Sequence, residues 1–145
     1  MNLQRALEIA VEAHRTQFDK AGAPYILHPL RVMFSVETEE ERIVAVLHDV
    51  VEDGPGWTLE RLEAEGFSAS VIDALWLVTK RPEDQGGDEE SYLRFVRRTL
   101  PNAVARRVKI ADVRDNLNAT RFKELTERDR LRMNRYLAAL RELGA

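Results

Sequence analysis

The sequence of 145 residues contains no cysteine, which excludes disulfide bonds and thiolate metal ligands. Any metal ion would therefore have to be bound by histidine, aspartate, glutamate or water. No hydrophobic run approaches the roughly 18 residues that a membrane-spanning helix needs, and the N-terminal stretch MNLQRALEIA lacks the pattern of a signal peptide. These absences predict a cytoplasmic protein that does not associate with a membrane.

The chain also lacks a strong excess of either charge, with 22 basic and 25 acidic residues and a net charge of −3. This balance gives no reason to expect binding to nucleic acid or to a membrane surface. Internal repeats, low-complexity tracts and Pro- or Gly-rich linkers are absent, so residues 1–145 are predicted to form a single domain. A chain of this length buries roughly 70% of the surface that it exposes when unfolded.

Hydrophobic periodicity along most of the chain predicts an all-α protein. Thr38 followed by Glu41 is a helix-start signature, and Thr126 followed by Asp129 is another. Pro101 is predicted to occupy the first position of a further helix. No stretch alternates convincingly between apolar and polar residues, as a strand would. The expected architecture is a compact bundle of roughly seven to nine helices.

The segment HDVVEDG, residues 48–54, places one histidine and three carboxylates close together. On one continuous helix with His48 at 0°, Glu52 falls at about 40°, Asp49 at about 100° and Asp53 at about 140°. Acidic side chains one turn apart repel each other, and the helix dipole disfavours anions at the C-terminal end. A divalent cation would relieve both penalties. A plain solvated helix face shows the same pattern and stays open as the alternative.

Further metal ligands must come from elsewhere, because the adjacent His48 and Asp49 cannot enclose an ion alone. His14 lies on the apolar side of the first predicted helix, where a lone histidine is more often a core residue than a ligand. Asp112 lies in the largely apolar stretch VKIADVRDNL, and it shares a helix face with Asn116. A buried Asp112 needs a partner, either a metal ion or a nearby arginine.

Three motifs resemble the HD superfamily of metal-dependent phosphohydrolases, and in particular the RelA/SpoT-type hydrolase domain. The stretch AHRTQFDKAGAPYILHPLRV is similar to the first motif of that domain, LHDVVED to the second and VKIADVRDNL to the third. The three follow the family's order over residues 14–116. The resemblance implies an HD-domain helical bundle. The chain is too short for the synthetase and regulatory domains of long members, so a stand-alone small alarmone hydrolase is expected.

The resemblance also implies a reaction and a set of site residues. The reaction is removal of pyrophosphate from the 3′ position of guanosine tetra- or pentaphosphate, (p)ppGpp, with Mn²⁺ as the usual metal of the family. Two imidazoles and two carboxylates suit such an ion. The implied metal ligands are His14, His48, Asp49 and Asp112. The implied catalytic pair is Glu52 and Asp53, and Asn116 would contact the nucleotide. Tyr25 and His28 of the first motif are interpreted as structural.

A phosphate-rich substrate requires cations despite the negative net charge of the chain. Basic residues in or near the three motifs are the candidates, and Lys20, on the loop of the first motif, is the strongest of them. The others are Arg15, Lys109, Arg114 and Arg121.

The sequence departs from the family pattern at three places. Asp19-Lys20-Ala21 stands where Arg-Lys-Ser is common, and Asp19 is expected to repel phosphate. The third motif reads Asp-Val-Arg-Asp-Asn, where Asp-Arg-Leu-His-Asn is usual, and Ala119 replaces a hydroxyl-bearing or acidic residue. An adenosine alarmone or another nucleotide is therefore an alternative substrate, and a non-hydrolysing nucleotide-binding module is an alternative function. The sequence leaves a homodimer open.

Overall fold

The computed structural model describes residues 2–145, and nine α-helices form within that range. They are α1 (Leu3–Ala13), α2 (Leu27–Phe34), α3 (Glu39–Leu47), α4 (Val50–Asp53), α5 (Leu59–Ala64), α6 (Ala69–Val78), α7 (Glu89–Arg97), α8 (Ala103–Asn116) and α9 (Glu127–Leu143). The β structure of these residues is limited to one isolated bridge between Phe18 and Pro24. The all-α class is therefore confirmed. No helix within this range is long and apolar enough to cross a membrane.

Local capping explains where the helices begin. Both predicted capping boxes form, because the Thr38 and Thr126 side chains accept from backbone amides while Glu41 and Asp129 bond back to the two caps. The prediction for Pro101 is wrong. Asn102 caps α8 instead, with its side chain accepting from the Ala105 amide, and Pro101 lies in the turn before the cap. An asparagine side chain satisfies a free amide of the first turn, whereas proline supplies no such acceptor.

The sequence pattern predicted one continuous helix from Thr38 through Glu52, but the helix is interrupted in the structure. Its α-helical pattern stops at Leu47, and α4 begins after His48 and Asp49. The Ala45 carbonyl accepts from the His48 amide at 3.4 Å and from His48 Nδ1 at 2.6 Å. A side chain that takes over a backbone acceptor competes with the helix, and the turn directs both His48 and Asp49 away from the uniform helical face.

Two hydrophobic clusters pack around α8. The larger one contains side chains of α1 to α6 and of α8, and the smaller one contains side chains of α7, α8 and α9. Ala111 belongs to the larger cluster and Val113 to the smaller. Asp112 therefore lies on the helix that both clusters share, and its carboxylate is buried between well-packed elements.

Gly54 lets the end of α4 approach α1 closely. A Cβ atom on Gly54 would lie 2.8 Å from the Ala13 Cβ and 2.6 Å from the Val50 carbonyl oxygen, which is too close for any side chain. The same contact region is fixed by Gln17, whose amide donates to the Asp53 carbonyl at 2.7 Å. The acidic helix α4 is thereby attached to the loop that follows α1.

Candidate metal centre

Four side chains from three separate parts of the chain converge on one point. His28 comes from α2, His48 and Asp49 from the turn between α3 and α4, and Asp112 from α8. His48 Nε2 lies 3.0 Å from Asp49 Oδ2 and 3.3 Å from Asp112 Oδ1. His28 Nε2 lies 3.0 Å from Asp112 Oδ1 and 3.7 Å from Asp49 Oδ2. The ligand-type atoms of His28, His48 and Asp49 all lie within 4.8 Å of one another.

The second nitrogen of each imidazole indicates which atom faces this point. His48 Nδ1 lies 2.6 Å from the Ala45 carbonyl, which can only accept, so Nδ1 carries the proton. His48 Nε2 is buried and makes no hydrogen bond among the described residues. His28 Nδ1 lies 2.6 Å from Asp115 Oδ2 in the same way. The Nε2 atoms of two imidazoles and two carboxylates thus face each other, and this donor set fits a divalent cation.

When no cation is bound, protonation of the two histidines offsets part of the negative charge of the carboxylates. Burial alone would lower the pKa of His28, but hydrogen bonds to Asp112 and Asp115 raise it above its usual value. Burial opposes protonation of His48 as well, yet the charges of Asp49 and Asp112 raise its pKa well above the usual value. Burial would raise the pKa of Asp112, but the charges of Lys109 and His48 hold it well below its normal range.

These raised pKa values predict that Mn²⁺ binding depends steeply on pH. Below the raised pKa values, His28 and His48 hold protons on the lone pairs that a metal would need, so binding must displace them. The apparent affinity should fall as the pH is lowered through the region where these histidines take up protons, by roughly tenfold per pH unit for each displaced proton. Calorimetry in buffers of different ionisation enthalpy measures the protons released. Constant affinity without proton release would contradict this prediction.

His14 lies apart from the other three implied ligands. Its Nδ1 is 2.7 Å from Gln17 Oε1, its ring centroid is 5.0 Å from that of Tyr25, and its buried Nε2 has no hydrogen-bond partner among the described residues. No ion pair or hydrogen bond of the described chain joins it to His48, Asp49 or Asp112. His28, which the sequence suggested was structural, stands there instead. Both histidines lie in the first motif, so the motif alone could not distinguish them.

Tyr25 does more than pack the loop of the first motif. Its hydroxyl donates a hydrogen bond to Asp49 Oδ2, and its ring lies between those of His14 and His28, with centroids 5.0 and 5.8 Å away. Burial, followed by the charge of Asp49, raises the pKa of Tyr25 far above its usual value, so the hydroxyl keeps its proton. Tyr25 therefore orients one carboxylate of the candidate centre.

The acidic pair of α4 follows the centre along the chain. Glu52 lines the adjacent cavity, and its Oε1 accepts a hydrogen bond from the Lys80 amide. Burial and the nearby charge of Asp49 raise the pKa of Glu52 to about 7. Burial and Asp49 also raise the pKa of Asp53, whose side chain does not line that cavity. The carboxylates of Asp49, Glu52 and Asp53 can approach within 4.8 Å of one another.

A cavity of about 360 Å³ opens above the four converging side chains, and His28, Asp49 and Asp112 form part of its wall. Asn116 also lines it and donates to Asp112 Oδ1 at 3.2 Å. Five basic side chains face the cavity; they are Lys20, Lys80, Lys109, Arg121 and Arg132. Six aromatic residues complete much of the wall; they are Phe18, Tyr25, Tyr92, Phe95, Phe122 and Tyr136.

Two of the basic residues suggested by the sequence are not in this wall. Arg15 is exposed and lies outside the wall of this cavity. Arg114 lines a different cavity, formed mainly by α8 and by the segment that leads from α2 into α3. Arg15 lies in the turn after α1, and Arg114 points from α8 towards the second cavity.

Asp19 does not present a free negative charge to the cavity. Its Oδ1 accepts from the amides of Ala21 and Ala23, both at 2.9 Å. Its Oδ2 accepts from Arg121 Nη1 at 2.7 Å. The expected repulsion of phosphate is therefore offset by a partner 102 residues away in the chain. Asp19 shapes the loop of the first motif and holds a guanidinium at the cavity wall.

The chain is similar in sequence to part of several longer curated proteins. The chain is 33% identical over 121 residues to guanosine-3′,5′-bis(diphosphate) 3′-pyrophosphohydrolase of Aquifex aeolicus, covering 79% of this chain and 17% of that protein. It is 32% identical over 124 residues to the protein of the same name from Spiroplasma citri, covering 80% of this chain and 16% of that protein. The chain therefore spans less than a fifth of the length of these curated relatives. No protein-family model matches it.

One solved structure is similar over nearly the whole chain. It is described as a metazoan orthologue of SpoT that hydrolyses ppGpp and plays a role in starvation responses. The TM-score is 0.81 at 23% identity, and the match covers 97% of this chain and 84% of that one. This chain therefore has the same all-α fold as that protein. Together with the sequence matches, it confirms the resemblance to the RelA/SpoT-type hydrolase domain.

Proposed function

We propose that this protein is a metal-dependent hydrolase that removes the 3′-pyrophosphate of (p)ppGpp and leaves GDP or GTP. The observation that carries the proposal is the convergence of two imidazole nitrogens and two carboxylates on one wall of a cavity lined by basic side chains. The relatives are named for hydrolysis of this class of nucleotide, and the structurally similar protein is described as hydrolysing ppGpp.

The proposed metal ligands are His28, His48, Asp49 and Asp112, so His28 replaces His14 in the set inferred from the sequence. Mn²⁺ is the proposed ion, because imidazole and carboxylate ligands with water completing the sphere suit it. A divalent cation held there supplies Lewis-acid chemistry: it makes water more acidic and offsets the charge of the attacked phosphate. Tyr25 and Lys109 hold the two carboxylates, through hydrogen bonds to Asp49 and to Asp112.

Glu52 is the proposed general base. Its carboxylate lines the cavity next to Asp49, where it can accept a proton from water. The Lys80 amide holds one oxygen of the carboxylate, which leaves the other free to face the cavity. Asp53 stays the second member of the predicted catalytic pair. Its position outside the cavity wall suits a supporting electrostatic role better than direct proton transfer.

The basic side chains of the cavity wall would bind the phosphates, and Asn116 would contact the nucleotide beside Asp112. Asp19 orients Arg121 through one nitrogen only, so other donors of the Arg121 guanidinium stay available to a ligand. Arg121 thus supplies a planar cation near the place where family members carry arginine in the first motif. Guanine and adenine both remain candidates for the base.

Lys20→Ala is expected to raise KM for the nucleotide by about tenfold and to leave kcat nearly unchanged. Lys20 lines the cavity and has no ion pair or hydrogen bond among the described residues, so its charge is free for a phosphate. Loss of one charge-assisted hydrogen bond of about 1.5 kcal/mol gives this factor. Steady-state kinetics measure it. Lys123→Ala is the control, because Lys123 is exposed and lies outside the cavity wall. Equal KM values for both variants and the wild type would contradict the assignment.

A hydrolysis assay tests the function itself. Purified protein would be incubated with ppGpp, its adenosine counterpart ppApp, or GTP, with and without Mn²⁺, and the products separated by anion exchange. Mn²⁺-dependent release of pyrophosphate from ppGpp, but not from GTP, is the expected result. A preference for ppApp would favour the adenosine alternative. Metal binding without turnover of any of the three would favour a nucleotide-binding module and contradict the proposal.

The remaining sequence predictions accompany this proposal. They are a single domain over residues 1–145, a cytoplasmic location and a small-molecule nucleotide as the binding partner, without nucleic acid or a membrane. A homodimer stays open. The mass of the protein in solution distinguishes a homodimer from a monomer.

A further inference from the structure

We propose that Asp115 is a positioning residue of the candidate metal centre, and that it fixes the orientation and tautomer of His28. The inference rests on the proposed function in one respect, namely that His28 binds a metal ion. Asp115 was not among the site residues that the sequence or the family resemblance suggested. It stands at the position of the third motif where the usual residue is histidine.

The geometry joins three side chains in a row. His28 Nδ1 lies 2.6 Å from Asp115 Oδ2, on the side of the ring opposite to the converging carboxylates. Arg31 Nε donates to Asp115 Oδ1 at 2.7 Å, and Arg31 Nη2 donates to Oδ2 at 3.1 Å. The Asp115 side chain is only 11% exposed, and that of His28 only 7%. Both oxygens of Asp115 are thus occupied, and the carboxylate has one preferred orientation.

A carboxylate in this place has a specific effect on an imidazole. It can only accept a hydrogen bond, so it requires the proton on Nδ1 and leaves the Nε2 lone pair directed at Asp49 and Asp112. It also raises the electron density of the ring and makes Nε2 a stronger ligand. The two-pronged bond from Arg31 prevents the carboxylate from rotating away, since such a fork fixes both oxygens in one plane.

The two histidines of the centre are therefore held by different means. The Ala45 carbonyl, part of the main chain, orients His48, and no substitution can remove it. A side chain and its arginine partner orient His28. Only the second arrangement can be deleted by mutation, which makes its contribution measurable.

The test is the affinity for Mn²⁺ alone, measured by calorimetry on the full chain without nucleotide. Asp115→Ala is expected to weaken Mn²⁺ binding by about 10- to 100-fold, the usual effect of removing the group that orients a ligating histidine. Asp115→Asn should give a smaller loss, because its amide oxygen still accepts from Nδ1. The melting temperature of the metal-free protein is measured for each variant, so that loss of folding is recognised.

Glu65→Ala is the matched control. Glu65 also accepts a two-pronged bond from an arginine, with Arg5 Nε and Nη2 both at 2.9 Å, but this pair has no contact with the metal centre. Its Mn²⁺ affinity should equal that of the wild type. A purely structural role for Asp115 would lower the melting temperature and leave Mn²⁺ affinity unchanged, which overturns the inference. Absence of Mn²⁺ binding by the wild type would overturn the metal centre itself, and the inference with it.

Discussion

His28→Gln is expected to reduce Mn²⁺ affinity by more than about 100-fold and to bring turnover below detection, whereas His14→Gln should keep Mn²⁺ affinity within about threefold of the wild type. The reason is geometric. His28 Nε2 lies 3.0 Å from Asp112 Oδ1 and 3.7 Å from Asp49 Oδ2, while the described contacts of His14 are with Gln17 and Tyr25. Removing an ion's direct ligand costs more than removing a residue that only orients one. Calorimetry and metal analysis of the purified variants measure the difference.

The His14→Gln and His28→Gln variants can be compared directly because both histidines are almost fully buried, with 2% of His14 and 6% of His28 exposed. Both variants therefore replace a buried ring with a flexible amide, and both should lose some stability. Melting temperatures of the metal-free proteins separate that loss from the effect on the metal. If His14→Gln lost Mn²⁺ binding and His28→Gln retained it, the original choice of ligand from the sequence would be restored.

Glu52→Gln is expected to lower kcat by about 10²- to 10⁴-fold, the usual contribution of a general base, with Mn²⁺ affinity nearly unchanged. Glutamine keeps the acceptor for the Lys80 amide, so the side chain should stay in place, but it cannot take up a proton. Asp53→Asn should cause a smaller fall in kcat, because Asp53 does not line the cavity. Steady-state rates at saturating Mn²⁺ and nucleotide give both values.

Glu60→Gln serves as the control for this prediction. Glu60 is an exposed acid in α5 and lies outside the cavity, so kcat should not change. The pH dependence of kcat gives a second, independent test of Glu52 as the base. If Glu52 must be ionised to act, kcat of the wild type should rise with pH through the region where that acid titrates. Wild-type activity in Glu52→Gln would exclude Glu52 as the base.

Local features of the sequence determined most of the helix boundaries. The capping boxes at Thr38 and Thr126 involve residues only three positions apart, so they form wherever the rest of the chain goes. The two helix boundaries that were predicted wrongly also have local explanations, because another group competes for the same backbone position. Asn102 is a better cap than Pro101, and the His48 side chain competes for the Ala45 carbonyl that a continuous helix would use.

Three of the four groups in the proposed centre, His48, Asp49 and Asp112, were predicted as ligands from the sequence, through the resemblance of its motifs to the RelA/SpoT-type hydrolase domain. The fourth group was decided by tertiary structure. His14 and His28 lie in one motif, and only the path of the loop between them brings the second beside Asp112. That path depends on Asp19, which bonds two amides of the loop and an arginine far along the chain.

Contacts between distant residues explain the remaining features that the sequence left undetermined. Asp115 lies 84 residues from Arg31 and 87 from His28, and no periodicity or motif links such positions. The sequence by itself determined the all-α class and the helix starts at Thr38 and Thr126. Tertiary packing decided which histidine faces the carboxylates and which basic residues face the cavity, because hydrogen-bond geometry and burial are properties of the assembled helices and not of any one segment.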